Sequence, residues 1–287
     1  MQLGIRQRLI FLLQSSRPLL WPAVLLPFLG GNVLSARSAD LTFWLVICFL
    51  LWPFNFVLYA VNDYFDTATD AINPRKHMAG MFAGLRPGQL LTLIVPSVTG
   101  AVLCISLPIL YVGLGRLSFA LLVLWVFVGI AYSAPPFRFK ERPPLDSLVN
   151  GLLYFGLPFL LGWSLSGSLG GLPWVKFWSL VVAVSGFHVL AGVLDYTADA
   201  RVGVRTIVIV LGIRPALLCA AGLITCGFFA AVGYTEMQIF LSLTLTCVVY
   251  VLFYPSEAVA KKLGYYCVYP GFIAATIVSL LQVLGKF

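Results

Sequence analysis

Long apolar runs separated by short polar segments are the dominant pattern of this chain. A helix that crosses the hydrocarbon core of a bilayer needs about 20 apolar residues. Nine stretches come near that length, namely 18–36, 41–62, 90–112, 117–134, 145–168, 174–194, 206–232, 236–256 and 265–284. The pattern therefore predicts an all-α, polytopic membrane protein with nine transmembrane helices.

The composition supports this class and excludes others. Hydrophobic residues make up 61% of the 287 residues and charged residues only 10%, whereas soluble domains carry roughly 25% charged residues. Runs such as 120–130 are apolar on every side, which is unlike the alternating strands of a membrane β-barrel. The formal net charge is +8, but the basic residues are spread in small groups between apolar runs, so no nucleic-acid partner is predicted.

The basic residues also predict an orientation in the lipid bilayer. Fourteen of the 18 Lys and Arg residues fall in the N-terminal segment and the even-numbered connections between the predicted helices. Because cytoplasmic loops carry the excess of Lys and Arg, the N-terminus and these connections are predicted to face the cytoplasm. The protein is therefore expected in the cell membrane, as one transmembrane domain over residues 1–287.

Carboxylates are scarce, and half of them lie in two short segments. The chain has ten Asp and Glu residues, of which five fall in 62–70 and 195–199. Residues at successive i, i+4 positions lie along one face of a helix. Two sets have this spacing, so each is expected on one helix face: Asn62, Asp66 and Asp70, and Asp195 and Asp199. Like charges at this spacing repel, and carboxylates near hydrocarbon are costly. Mg²⁺ shared with substrate phosphates offsets both costs, since it prefers such hard oxygen ligands.

These two motifs resemble those of the UbiA superfamily of intramembrane prenyltransferases. That family has nine transmembrane helices, an N-x-x-x-D-x-x-x-D motif after the second helix and a D-x-x-x-D motif after the sixth, all in this order here. Segments 16–18, 73–76 and 132–140 are similar to the lycopene elongase branch, which makes C50 carotenoids. The resemblance implies a central apolar cavity, and Mg²⁺-dependent transfer of a prenyl group from its diphosphate to a hydrophobic acceptor.

The resemblance also suggests roles for individual residues. The donor is expected to be dimethylallyl diphosphate and the acceptor lycopene or a related carotenoid. Predicted metal ligands are Asn62, Asp66, Asp70, Asp195 and Asp199. Predicted catalytic residues are Asp66, Asp195, Lys140, Arg138 and His188. Predicted substrate-binding residues are Asn62, Asp63, Arg75, Lys76, Tyr132, Asn150, Tyr196 and Arg201.

Alternatives remain open at this point. His188 is a candidate base for removing a proton from the product cation, although a lone buried histidine is more often structural. Segment 74–89 is either a lid over the donor or a plain connector. The acceptor is alternatively an aromatic ring, as in quinone biosynthesis. An alternative from a different functional class is a non-enzymatic ion transporter, but the carboxylates of a transporter would be expected near the bilayer midplane.

Overall fold

A computed structural model of the chain describes residues 12–66 and 89–285, together with the single residues Ile10 and Asp70. For residues 89–94 and Glu236 it describes the backbone alone. In these parts of the chain every regular element is a helix, in agreement with the predicted all-α class.

Eleven helices follow one another in the described residues. They are α1 (Trp21–Leu34), α2 (Leu41–Phe65), α3 (Gln89–Gly113), α4 (Arg116–Ser133), α5 (Leu145–Ser164), α6 (Trp174–Val193), α7 (Tyr196–Val202), α8 (Ile207–Leu211), α9 (Ile213–Ala230), α10 (Thr235–Phe253) and α11 (Glu257–Val283). A short 3₁₀ turn, Pro18–Leu20, leads into α1. Helices α2, α5 and α11 each contain one π-helical turn, over Leu50–Phe54, Leu152–Gly156 and Gly264–Val268.

The π-helical turn of α2 has a local cause in the sequence. Pro53 lies inside the helix and has no N–H to donate, so a carbonyl of the preceding turn loses its partner. The buried Asn55 side chain adds a hydrogen bond to the same turn, since its Nδ2 donates to the Leu50 carbonyl at 2.6 Å. The helix therefore continues through the proline and reaches Phe65.

Seven of the helices are long and apolar enough to cross a membrane, which makes this a multi-pass membrane protein. The predicted first and eighth runs appear as shorter apolar helices, α1 with 14 residues and Met237–Phe253 within α10. The predicted run 206–232 is wrong as one helix, because Gly212 has a φ of +82° and separates α8 from α9. The last run was predicted from residue 265, but its helix already begins at Glu257, where Ser256 caps it.

The helices enclose a central space because neighbours pack side by side around it. Helix α1 packs on both α5 and α11, α6 packs on α5 and α9, and α10 packs on α9 and α11. Helices α2, α3 and α4 pack on one another, and α4 also contacts α5. The buried apolar residues form a cluster mainly from α1 to α5, a larger cluster from α5 to α11, and a small third cluster between α2 and α3.

Glycines set the closest of these helix contacts. A Cβ at Gly162 in α5 would collide with the Phe28 carbonyl oxygen in α1, and one at Gly31 would collide with the Phe159 carbonyl oxygen. Small residues allow such close approach of backbones between membrane helices. The α1–α5 contact is thus specified by two glycines, and it holds one wall of the central space.

Candidate active site

One cavity of about 430 Å³ runs through the centre of the helix bundle. Its lining extends along α6 from Lys176 at the start of the helix to Asp195, just beyond its end. A helix of 20 residues such as α6 is about 30 Å long, which is close to the thickness of the hydrocarbon core. The cavity therefore follows nearly the whole length of α6.

The first acidic motif lies at one end of this cavity. Helix α2 ends at Phe65, so Asp66 is the residue that terminates it rather than a position within a continuing helix. The spacing is nevertheless helical, because the Asp66 N–H donates to the Asn62 carbonyl at 3.0 Å and the Asp70 N–H donates to the Asp66 carbonyl at 2.8 Å. All three side chains line the cavity.

The second acidic motif lies at the same end, on the other half of the chain. Helix α6 ends at Val193, and Asp195 directly precedes the short helix α7, which begins at Tyr196. The Asp199 N–H donates to the Asp195 carbonyl at 2.9 Å, which keeps both side chains on one stripe. Both line the cavity that Asn62, Asp66 and Asp70 also line. The fold thus brings two motifs separated by more than a hundred residues to one site.

Two basic side chains reach the first motif from the loop after α4. Lys140 Nζ forms an ion pair with Asp66 Oδ1, and Arg138 lies 3.7 Å from the same oxygen. Arg138 also donates to Glu141 at 2.5 Å, and that hydrogen bond raises the pKa of its guanidinium. Burial lowers the pKa of the Lys140 ammonium, while the Asp66 carboxylate acts in the opposite direction. The loop holds Arg138 in a left-handed conformation, with a φ of +43°.

Arg17 is a cation of this site that the sequence analysis did not identify. It precedes α1, lines the cavity, and forms an ion pair with Asp63, whose side chain is fully buried. The guanidinium lies over the Tyr59 ring at 4.8 Å from its centroid. Asp63 was predicted to bind substrate, but it points to Arg17 and is not among the residues that line the cavity. The sequence signals for Arg17 were its place directly before the first apolar run and its inclusion in segment 16–18, which is similar to the lycopene elongase branch.

A chain of polar side chains lies next to the acidic motifs. The Tyr132 hydroxyl is 3.1 Å from His188 Nε2, and the Ser147 hydroxyl is 3.1 Å from His188 Nδ1. Asn150 is a polar neighbour of Tyr132, and Tyr132, His188 and Asn150 all line the cavity. The fold therefore groups three of the residues singled out from the sequence, together with Ser147.

Other predicted residues have different positions. Tyr196 packs against the apolar core and Arg201 is exposed on α7, and neither is among the residues that line the cavity. Helix α7 begins at Asp195 with a break from α6, so sequence proximity to Asp195 did not place these side chains beside it. Arg75, Lys76 and all of the predicted lid segment except Gln89, whose backbone alone is described, lie outside the described residues.

The donor set fits a magnesium ion held together with a phosphate-bearing substrate. The five side chains of the two motifs offer only carboxylate and amide oxygens, which are the ligands that Mg²⁺ prefers. Among the described residues, however, no three His, Cys, Asp or Glu side chains lie close enough to form a complete metal site by themselves. Such open sites suit Mg²⁺, which takes one or two protein carboxylates and completes its shell with water and substrate phosphates.

Comparisons with known proteins agree with this arrangement. A model of the UbiA prenyltransferase family matches residues 24–263. A lycopene elongase/hydratase of Corynebacterium glutamicum is 34% identical over 74% of this chain and 72% of its own length. A lycopene elongase/hydratase of Haloferax volcanii is 30% identical over 98% of this chain and 90% of its own.

A solved structure has the same fold. It is a UbiA homolog from Archaeoglobus fulgidus bound to DMAPP and Mg²⁺, which superposes with a TM-score of 0.70 at 19% identity and covers 93% of this chain and 98% of its own. The matched family model spans most of the sequence and includes the elements that carry both acidic motifs. The chain therefore belongs to the UbiA prenyltransferase family and is an enzyme that transfers prenyl groups.

Proposed function

We propose that this protein transfers a dimethylallyl group from its diphosphate to a long polyene, lycopene or a related carotenoid, in a magnesium-dependent reaction. The observation that carries the proposal is the cavity, which has both acidic motifs at one end and continues along α6 among apolar side chains. The solved relative bound to DMAPP and Mg²⁺ supports the donor and the metal. The relatives named lycopene elongase/hydratase support the acceptor.

The polar end of the cavity would bind the diphosphate. Asn62, Asp66, Asp70, Asp195 and Asp199 would hold magnesium. The bound metal supplies charge neutralisation for the phosphate oxygens as the allylic C–O bond breaks. Lys140 would give up its ion pair with Asp66 and form one with the leaving diphosphate. Arg138, which lies 3.7 Å from the same Asp66 oxygen, would also contact the diphosphate. Arg75 and Lys76 remain proposed donor contacts because they follow the first motif in the sequence, whereas Arg201 is exposed and does not line the cavity.

The allylic cation would be captured by the π-electrons of the acceptor, which forms a new C–C bond and leaves a cation on the product. We propose that the Tyr132–His188 pair removes the proton that this product cation loses. In this arrangement the Tyr132 O–H would donate to His188 Nε2, and the His188 Nδ1–H would donate to the Ser147 hydroxyl. Tyr132 would thus pass its own proton to His188 as it takes one from the product.

Two features of the cavity favour a long apolar acceptor over an aromatic acid. A dimethylallyl group fills only a small part of a passage that follows α6 to its start. The cationic side chain at the other end, Lys176, is nearly a full helix length from Asp195, too far to hold an acid group beside the transferred carbon. An ion transporter is disfavoured because the carboxylates gather at one end of the cavity instead of near its middle.

The topology belongs to the same proposal. We propose nine crossings, with α1 and α10 completing the seven long spans, and one prenyltransferase domain over residues 1–287. The N-terminus and the diphosphate end of the cavity would face the cytoplasm, because most Lys and Arg residues fall on that side.

The proposal is tested with purified protein in lipid vesicles, supplied with dimethylallyl diphosphate, lycopene and Mg²⁺. Mass analysis should show an acceptor extended by five carbons, and a chelator should abolish it. Asp66→Ala and Asp195→Ala should each lower kcat/KM by on the order of 10²-fold or more, because charge stabilisation in the transition state is lost. Asp40→Ala, which removes an exposed carboxylate outside the cavity, should change the rate little. Full turnover in either site variant would contradict the mechanism.

A further inference from the structure

The end of the cavity remote from the acidic motifs is not purely apolar. Lys176 and Tyr234, both partly buried, line it there together with Gln282. Lys176 Nζ donates to the Val232 carbonyl at 2.8 Å and lies 5.0 Å from the centroid of the Tyr234 ring. An ammonium, the ring of a tyrosine and a backbone carbonyl are thus gathered at this end, where the Lys176–Val232 hydrogen bond is exposed and Val232 itself does not line the cavity.

This polar group is part of the same passage as the diphosphate end. Along α6, the lining positions recur from Lys176 through Leu180, Val184 and His188 to Asp195, which is the spacing of one helix face. Along α1 they recur from Leu19 to Leu34. A rod-shaped ligand with its reacting end at Asp195 would therefore place its other end, about 30 Å away, near Lys176.

We propose that Lys176, Tyr234 and the Val232 carbonyl form a second binding site, which holds a hydroxyl group at the far end of the polyene acceptor. This inference rests on the proposed polyene acceptor and adds a preference among such molecules. The enzyme would favour a polyene whose remote end already carries oxygen over the plain hydrocarbon.

The chemistry of the three groups favours a hydroxyl over other polar ends. A hydroxyl accepts from the Lys176 ammonium and donates to the Val232 carbonyl, so both are satisfied at once. A carboxylate would be attracted by the Lys176 ammonium but repelled by the Val232 carbonyl oxygen, which lies 2.8 Å from Lys176 Nζ. A hydrocarbon end would displace water from these groups and return no hydrogen bond.

The test compares two acceptors in the vesicle assay, identical except that one carries a hydroxyl at a single end and the other carries hydrogen there. For the parent protein we expect kcat/KM to be about fivefold to tenfold higher with the hydroxylated acceptor, as one net hydrogen bond gives. Lys176→Met should remove this preference, chiefly by lowering kcat/KM with the hydroxylated acceptor. Tyr234→Phe should reduce the preference.

Lys262→Met is the matched control. Lys262 is an exposed lysine near the start of α11 and is not among the residues that line the cavity, so this variant should keep the parent's preference. Equal rates with both acceptors in the parent would overturn the second site, and so would a Lys176→Met protein that loses both activities equally. A parent that extends neither polyene would instead overturn the proposed acceptor class, and this inference with it.

Discussion

Arg17 and Asp63 form the most deeply buried ion pair among the described residues, with side chains 10% and 0% exposed. Removing only one partner of such a pair leaves the other charge buried without its main counter-charge, which typically costs 3–5 kcal/mol. Arg17→Leu should therefore lower the free energy of unfolding by about 3 kcal/mol, measured by denaturant titration in detergent. The double variant Arg17→Leu/Asp63→Leu should recover most of that loss.

Arg37→Leu is the control for this prediction. The Arg37–Asp40 pair is far more exposed, with side chains 27% and 45% exposed, and surface pairs contribute only about 0–1 kcal/mol. An Arg17→Leu protein as stable as the Arg37→Leu protein would show that the buried pair is not needed for folding.

The Tyr132–His188 pair leads to a prediction about the products. If His188 takes the proton through Tyr132, His188→Ala should slow proton loss and let water capture the cation more often. The ratio of alcohol to alkene products should rise severalfold, as measured by chromatography with mass detection. Ser147→Ala, which removes only a neighbour of Nδ1, should shift the ratio less. An unchanged ratio in His188→Ala would assign the proton to another group.

At the residue scale, the sequence was informative where spacing alone carries the signal. Asn62, Asp66 and Asp70 were predicted to share a stripe, and their backbone hydrogen bonds have the i, i+4 pattern in the structure. The role of Arg17 was not predictable, because its partner Asp63 is 46 residues away. Tyr196 and Arg201 were predicted to bind substrate, but neither lines the cavity, because the chain breaks between α6 and α7.

At the scale of elements, the contact between α1 and α5 can be tested at one atom. Gly162→Ala places a methyl group against the Phe28 carbonyl oxygen, and overpacking of this kind costs about 1–3 kcal/mol. We expect a lower unfolding midpoint and a weaker affinity for the acceptor, because α1 and α5 both line the cavity. Gly222→Ala in α9 is the control, since a Cβ there meets no atom within 4 Å. Equal stability of the two variants would contradict the close contact.

The helices were largely predictable because apolar runs long enough to span a bilayer are rarely anything else. The residues at which the helices begin and end were less predictable. Gly212 interrupts an apolar run that hydrophobicity alone would continue, and α11 extends back through Lys261 and Lys262, which were assigned to a connection. Helix ends depend on single caps such as Ser256, and these leave little trace in a hydrophobic pattern.

At the scale of the whole molecule, the proposed orientation predicts which loops are accessible from outside a cell. In a protein with its six cysteines replaced, Ser168→Cys should react with a membrane-impermeant maleimide on intact cells. Arg142→Cys, in an exposed loop at the acidic end of the cavity, should react only in inverted vesicles or after lysis. The reverse pattern would contradict the cytoplasmic assignment of the diphosphate site.

The sequence by itself determined the class of the protein, the approximate helices, and the position and spacing of the two acidic motifs. These properties are local or compositional, since they depend on hydrophobicity, charge and spacing along one segment. Only the tertiary structure decided that the motifs meet at one end of a cavity, that Arg17 joins them, and that the same cavity reaches Lys176. The physical reason is that helix packing, set by contacts such as Gly31 with Phe159, joins residues that no sequence period connects.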